Sequence, residues 1–195
     1  MPVSRSAPRR GWLLASYAGA VAFFALELAA RQPGEASDLA ATESDRGTTR
    51  LIGAAYGLAA ALAPVLRRLP AGRLPAAAGP AGVGAMAAGL ALRAWSMRAL
   101  GPYYSRTLRT SGGQVVVESG PYRVIRHPGY LGSTMVWTGF AVASRSAAAA
   151  LGVAALMGAA YGRRIAAEEA MLTGTFGAAY AGHSRRAKRL IPFIW

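Results

Sequence analysis

Residues 115–130 read VVVESGPYRVIRHPGY, and residues 163–177 read RRIAAEEAMLTGTFG. From Leu131 to Gly162, between them, the chain carries no acid and one charge, Arg145. Two polar clusters joined by an apolar hairpin predict a single site assembled at a membrane surface. In the first cluster Pro128 holds His127 extended and opens a helix, because proline disfavours helical backbone in the residue before it and fits the first helical position.

Composition points the same way. Of 195 residues, 53% are hydrophobic and 15% charged, against about 25% charged in ordinary soluble domains. The charges fall between apolar blocks, as expected where a charge at the bilayer centre costs roughly 2.5–3.5 kcal/mol. The net charge of +14 is nearly all arginine. These arginines flank apolar blocks without a basic tract of interleaved aromatics, and no nucleic-acid-binding motif is present. The excess therefore reads as lipid-headgroup contact and topology signal, with no nucleic-acid partner. There is no cysteine, and the histidines are His127 and His183 alone. That excludes thiolate chemistry and leaves too few ligands for a histidine-based metal site, so no metal is expected.

Residues 1–10 are basic, and the apolar run from Gly11 to Ala30 that follows spans about 30 Å as a helix, long enough to cross a bilayer and so read as a span instead of a signal peptide. Glu27, near its far end, reads as a carboxylate reaching the interface. Gln32 to Arg50, holding Glu35, Asp38, Glu43 and Asp45, reads as a linker. In the second block, Leu51 to Leu66, Gly53 and Gly57 have the spacing that lets membrane helices approach closely, and Pro64 marks the end. The third, Ala76 to about Leu92, ends in Arg93, Trp95 and Arg98, with Trp95 an interface anchor.

Gly101 to Gly120 is irregular, and such backbone must lie outside the hydrocarbon or line a protein cavity. Gly129 to Ser144 and Ser146 to Gly162, each short for a crossing, form a helical hairpin, and the last helix carries Arg163, Arg164, Glu168 and Glu169. Tyr180 to Arg189 reads as headgroup contact, and the terminal IPFIW as packing on the membrane surface. The expected fold is all-α and integral to the membrane, with about five transmembrane helices including the C-terminal hairpin. The positive-inside rule is divided between Arg5, Arg9 and Arg10 at the start and a larger arginine set at the end.

Arg164 and Glu168 are four apart on a helix and share a face, which fits an ordinary ion pair. Adjacent Glu169 points about 100° away, so one glutamate can meet arginines while the other meets a ligand. His127, between Arg126 and Tyr130 at a helix N-terminus, is either a structural hydrogen-bonding group or part of an anion site.

GPYRVIRHPGYLG, followed after a hairpin by an adjacent glutamate pair, FG, a tyrosine three residues on and a terminal IPF, resembles the isoprenylcysteine carboxyl methyltransferase family and its relatives among phospholipid methyltransferases. The resemblance covers Gly101 to Ile194, about half the chain. It implies a single membrane-embedded methyltransferase domain over residues 1–195, with three N-terminal spans in 1–100 and the cofactor-binding and catalytic half in 101–195. The implied cofactor is S-adenosylmethionine. Its site would comprise Gln114, Val115, Val116 and Val117 largely through backbone, then Tyr122, Arg126, His127, Pro128, Gly129, Tyr130 and Glu168. Arg164 would hold the acceptor carboxylate and serve catalysis, with Glu169 beside the substrate. His183 stands where the family often has tyrosine.

The acceptor implied is a lipophilic carboxylate of the isoprenylcysteine type, entering from the bilayer between the third span and the hairpin. Because the cofactor is made in the cytosol, the catalytic face belongs in the cytoplasm, at the plasma membrane if the chain is bacterial. Alternatives are phospholipid N-methylation, small-thiol S-methylation, a sterol-reductase-like oxidoreductase, and a non-catalytic basic protein binding anionic lipid. The sequence leaves the oligomeric state open.

Overall fold

Apolar, alanine- and glycine-rich blocks form helices here because each satisfies its own backbone where water is absent. The structure, a computed structural model, describes residues 7–30, 45–66, 68, 72–106, 108 and 113–192. Most of the acidic linker and the terminal Phe193, Ile194 and Trp195 lie outside the described residues, and with them the expected packing of the tail.

Among the described residues there are five long α-helices and one short one: α1 (Ala7–Ala29), α2 (Thr48–Leu66), α3 (Ala78–Leu100), α4 (Pro128–Ala143), α5 (Ala147–Phe176) and α6 (Ala178–Arg186). Gly11–Ala29 and Thr48–Leu66 are each long and apolar enough to cross a membrane. Helix α2 continues through Pro64 to Leu66. The second hairpin arm and the expected last helix are one element. Helix α5 has 30 residues, about 45 Å at helical rise, against a hydrocarbon core of about 30 Å. The helix is thus longer than a crossing needs, and Arg163 to Glu169 fall in its C-terminal half.

The hairpin turns at Arg145, whose φ is +62°. Its guanidinium donates to the Leu74 carbonyl from Nε (3.2 Å) and Nη2 (3.1 Å). The Leu74 amide donates back to the Arg145 carbonyl (3.0 Å), and that of Ala147 donates to Gly72 (2.8 Å). Ser146 then caps α5 by accepting from the Ala149 amide (3.2 Å), satisfying a donor that a helix start leaves open.

Helices α3 and α4 meet through glycine. Gly82 and Gly89, seven apart on α3, face Gly139 and Gly132 on α4. A Cβ built at Gly89 would sit 2.5 Å from the Gly132 carbonyl oxygen, one at Gly132 2.7 Å from that of Gly89, and one at Gly139 2.6 Å from that of Gly82. At these glycines the two backbones leave no room for a side chain between α3 and the first arm of the hairpin. The expected stripe at Gly53 and Gly57 does the opposite: a Cβ at either meets nothing within 4 Å. On α2 the packing face is instead Ala55, Ala59 and Ala63, all buried against α5. Between these pairs lies an aromatic centre in which Tyr56 stacks on Trp137 at 5.2 Å and Phe23 meets both edge-on.

A Cβ at Gly82 forces backbones apart, and overpacking of this kind costs about 1–3 kcal/mol. Gly82→Ala is accordingly expected to lower the thermal midpoint in detergent, while Gly57→Ala leaves it unchanged or raises it. Equal midpoints for the two variants would contradict the close α3–α4 contact.

Candidate active site

Residues 120–127 are fixed before any ligand is considered. Gly120, at φ +56°, opens a 3-10 turn over Gly120–Arg123, after which the chain pairs with its own C-terminal segment. The Arg126 amide donates to the Lys188 carbonyl (2.7 Å), the Lys188 amide to Val124 (3.0 Å) and the His127 amide to Arg189 (3.2 Å). The basic run expected at lipid headgroups is thus partly an internal strap. Arg186 reaches Glu118 (2.6 Å) and Arg189 reaches Glu169 (2.8 Å), while Arg185 and Lys188 stay exposed.

The two adjacent glutamates divide their work. Glu169 accepts from Arg126 Nε (2.9 Å) and Arg189 Nε (3.1 Å) and lies 3.1 Å from His127 Nε2. Burial pushes its carboxyl up, but hydrogen bonds from His127, Arg189 and Arg126 outweigh burial and hold it at about 2. Glu168 turns the other way. Its Oε2 is buried without a hydrogen-bond partner and lies 3.6 Å from His127 Nδ1. His127 itself is buried and stacks on Tyr130 (5.6 Å, 11°).

A cavity of about 400 Å³ opens beside Glu168, within the size range of small-molecule sites. Every residue expected at the cofactor site lines it except Pro128, and Arg164 lines it too. Pro128 is fully buried at the start of α4, behind the wall. Glu169 is likewise outside the lining. Arg126 reaches the cavity, but its guanidinium is engaged by Glu169 and by the carbonyls of Ser184 (3.0 Å) and Ala187 (2.7 Å). Burial first, and Glu168 second, push the Tyr122 hydroxyl well above its ordinary value against the opposing charge of Arg93, so Tyr122 is a neutral donor. His183 occupies the cavity edge 3.6 Å from Glu118. Burial lowers its imidazole despite that carboxylate.

Arg164 is placed differently from expectation. It makes no ion pair with Glu168. Instead Nη1 donates to Asp45, Thr48 (2.9 Å) and Thr49 (3.0 Å), Nε to the Tyr130 hydroxyl (3.1 Å) and Nη2 to the Arg106 carbonyl (2.8 Å). A guanidinium has five N–H groups, so at most one remains. Asp45, read above as part of a linker, is completely buried and starts α2 by accepting from the Thr49 amide (3.2 Å). The D-x-x-T pattern at a helix start carried that signal.

Glu27 also departs from its reading. It does not reach the interface alone but pairs with Arg93 of α3 and accepts from the Tyr104 hydroxyl (3.2 Å). Arg93, expected at a helix end, is buried and lines the cavity with Glu27. Trp95, by contrast, is 53% exposed, as an anchor should be. An acid within a span calls for a partner inside the protein, and that rule was the available pointer to Arg93.

The described residues form a helical bundle with a cavity that is polar at the end of α5 and apolar toward α1 and α2. The chain matches a solved structure described as the eukaryotic intramembrane Ras methyltransferase ICMT (isoprenylcysteine carboxyl methyltransferase) without a monobody. The match has a TM-score of 0.62 at 19% identity and covers 80% of this chain and 70% of that one. Residues 82–174, just under half of the chain, match the model of the isoprenylcysteine carboxyl methyltransferase (ICMT) family, and the shared architecture is that of the solved membrane protein. The curated proteins give no match. The matched segment begins within α3, earlier than the resemblance at Gly101, and includes Arg93.

The depressed Glu169 carboxyl makes a pH test. Its folded value of about 2 lies below the ordinary 4.5, so its contribution is complete above about pH 4.5 and is lost as pH falls toward 2. Wild-type thermal stability in detergent should drop through that window more steeply than that of Glu169→Gln. Parallel profiles would show that the carboxylate contributes nothing there.

Proposed function

We propose that the chain is an S-adenosylmethionine-dependent methyltransferase acting on the carboxylate of a lipophilic, isoprenylcysteine-like acceptor. One observation carries the reading: Glu168 presents a buried, unpartnered carboxylate oxygen at the wall of a cavity of about 400 Å³. Such an atom is costly to leave unmade and suits a cationic ligand. The other residues fit the same cofactor. Neutral Tyr122 stands near Glu168, the extended segment Gln114–Val117 offers backbone edges, and Met171, Leu172 and Phe176 give an apolar wall for a purine.

When bound, the cofactor supplies a methyl group on a sulfonium, and its transfer to a carboxylate removes charge, which a water-poor pocket favours. The protein's part is to orient and to exclude water. Glu168 receives the ammonium, and His127, held by Glu169, fixes the first turn of α4 at the reacting end. Arg164 ties α2, α4 and α5 together at the cavity wall, with at most one N–H left over. The apolar end of the cavity is lined by Phe24 of α1 with Ile52 and Gly53 of α2, and Phe24 is 45% exposed. An acceptor chain approaching from hydrocarbon therefore meets the cavity between α1 and α2.

Calorimetry in detergent should show wild type binding S-adenosylmethionine, with a nicotinamide cofactor giving no heat. Glu168→Gln should weaken that binding by about 1.5–3 kcal/mol, as for a lost charged hydrogen bond. Undiminished affinity in that variant would remove Glu168 from the site. Methylation of phosphatidylethanolamine or a small thiol, with a farnesylcysteine analogue untouched, would replace the carboxylate acceptor and leave the transferase reading standing.

The cytosolic origin of the methyl donor, together with the C-terminal arginine excess, places the α4 start, the end of α5 and α6 in the cytoplasm. A reporter fused after Trp195 should be active only on the cytoplasmic side, and activity on the opposite side would reverse the assignment.

A further inference from the structure

Four arginines line the cavity, Arg93, Arg106, Arg126 and Arg164, and Arg106 gives its carbonyl to Arg164. Arg164 and Arg126 are almost wholly consumed by protein acceptors, as described above. Arg93 is not. Its Nε goes to Glu27, Nη1 gives one bond to the Gly129 carbonyl (3.0 Å), and Nη2 has only a 3.4 Å contact to Tyr104. At least one N–H on each of Nη1 and Nη2 is left for a ligand, the arrangement that takes a planar oxyanion bidentately. The side chain is also held still. Glu27 fixes one edge, the Phe23 ring lies 5.5 Å from its central carbon, and a Cβ at Gly129 would approach Nη1 to 3.4 Å.

Its position gives the free edge a use. Gly129, which Arg93 binds, follows His127 and Pro128 in the first turn of α4, and Tyr122 feels both Glu168 and Arg93. One cavity is thus lined by Tyr122, by a carboxylate oxygen without a hydrogen bond on Glu168 and by the half-used guanidinium of Arg93. We propose that Arg93, not Arg164, is the residue that binds the ligand carboxylate in this cavity, with Glu27 as its positioning residue.

Two molecules carry that group under the function proposed above, on which this inference rests: the methyl donor, in its amino-acid tail, and the acceptor. Arg93→Lys keeps a cation for Glu27 but loses the planar fork. Because a lone change risks misfolding, Glu27→Gln with Arg93→Gln serves as a second form that leaves a neutral hydrogen-bonding pair. Binding of S-adenosylmethionine and of its decarboxylated analogue is measured by calorimetry in detergent. N-acetyl-S-farnesylcysteine and its amide are compared by thermal shift.

If the donor's carboxylate is the ligand, both variants bind S-adenosylmethionine about tenfold to a hundredfold more weakly, with the decarboxylated analogue unaffected. If it is the acceptor's, the same selective loss falls on the farnesyl acid and spares the amide. Wild-type affinity for both acids in both variants, or equal losses for acids and carboxylate-free analogues, would overturn the assignment. A wild-type chain that binds neither acid would bring down the methyltransferase reading with it, whereas intact wild-type binding with unaffected variants removes Arg93 alone.

Discussion

The ion pair between Asp45 and Arg164 joins the beginning of α2 to the emerging end of α5, and both groups are almost fully withdrawn from water. Breaking such a pair by removing one partner typically costs about 3–5 kcal/mol, since a lone charge is left in an apolar surrounding. The constraint works on geometry as much as on energy. With Thr48, Thr49, Tyr130 and the Arg106 carbonyl around one guanidinium, four separate segments have their relative positions set at a single plane. The cavity exists because those segments are held apart at fixed distances around it.

A second junction does the same at the other end of the site. Glu169 collects Arg126, His127 and Arg189, from a loop before α4 and from the strap after α6. Its neighbour Glu168 is thereby aimed into the cavity, because adjacent residues of a helix diverge by about 100°. One glutamate is spent on architecture so that the other stays available, which is why a pair of identical residues behaves so unequally.

Much of this was legible in the sequence. The two polar clusters do converge, and the apolar hairpin between them is present. What the local pattern did not carry was partnership over distance. Arg93 reads as the end of a span until Glu27, 66 residues earlier, is set beside it. Asp45 reads as linker until Arg164, 119 residues later, arrives. The seven-residue spacing of Gly82 with Gly89 and of Gly132 with Gly139 was visible, but Gly53 and Gly57 show the same composition with nothing against them. Small residues permit close approach without saying which helix makes it. Arg164 lines the cavity as expected, but its carboxylate partner Asp45 was not legible, because it stands in a segment that reads as linker.

The distance between Glu27 and Arg93 has a consequence for biosynthesis. Helix α1 leaves the ribosome before α3, and at about 5–20 residues per second the 66 residues separating the pair take roughly 3–13 s to follow. Through that interval the nascent chain carries an acid in α1 without its Arg93 partner, and an unpaired charge is costly in hydrocarbon. The Glu27 carboxylate of α1 thus gains its partner only once α3 has been made.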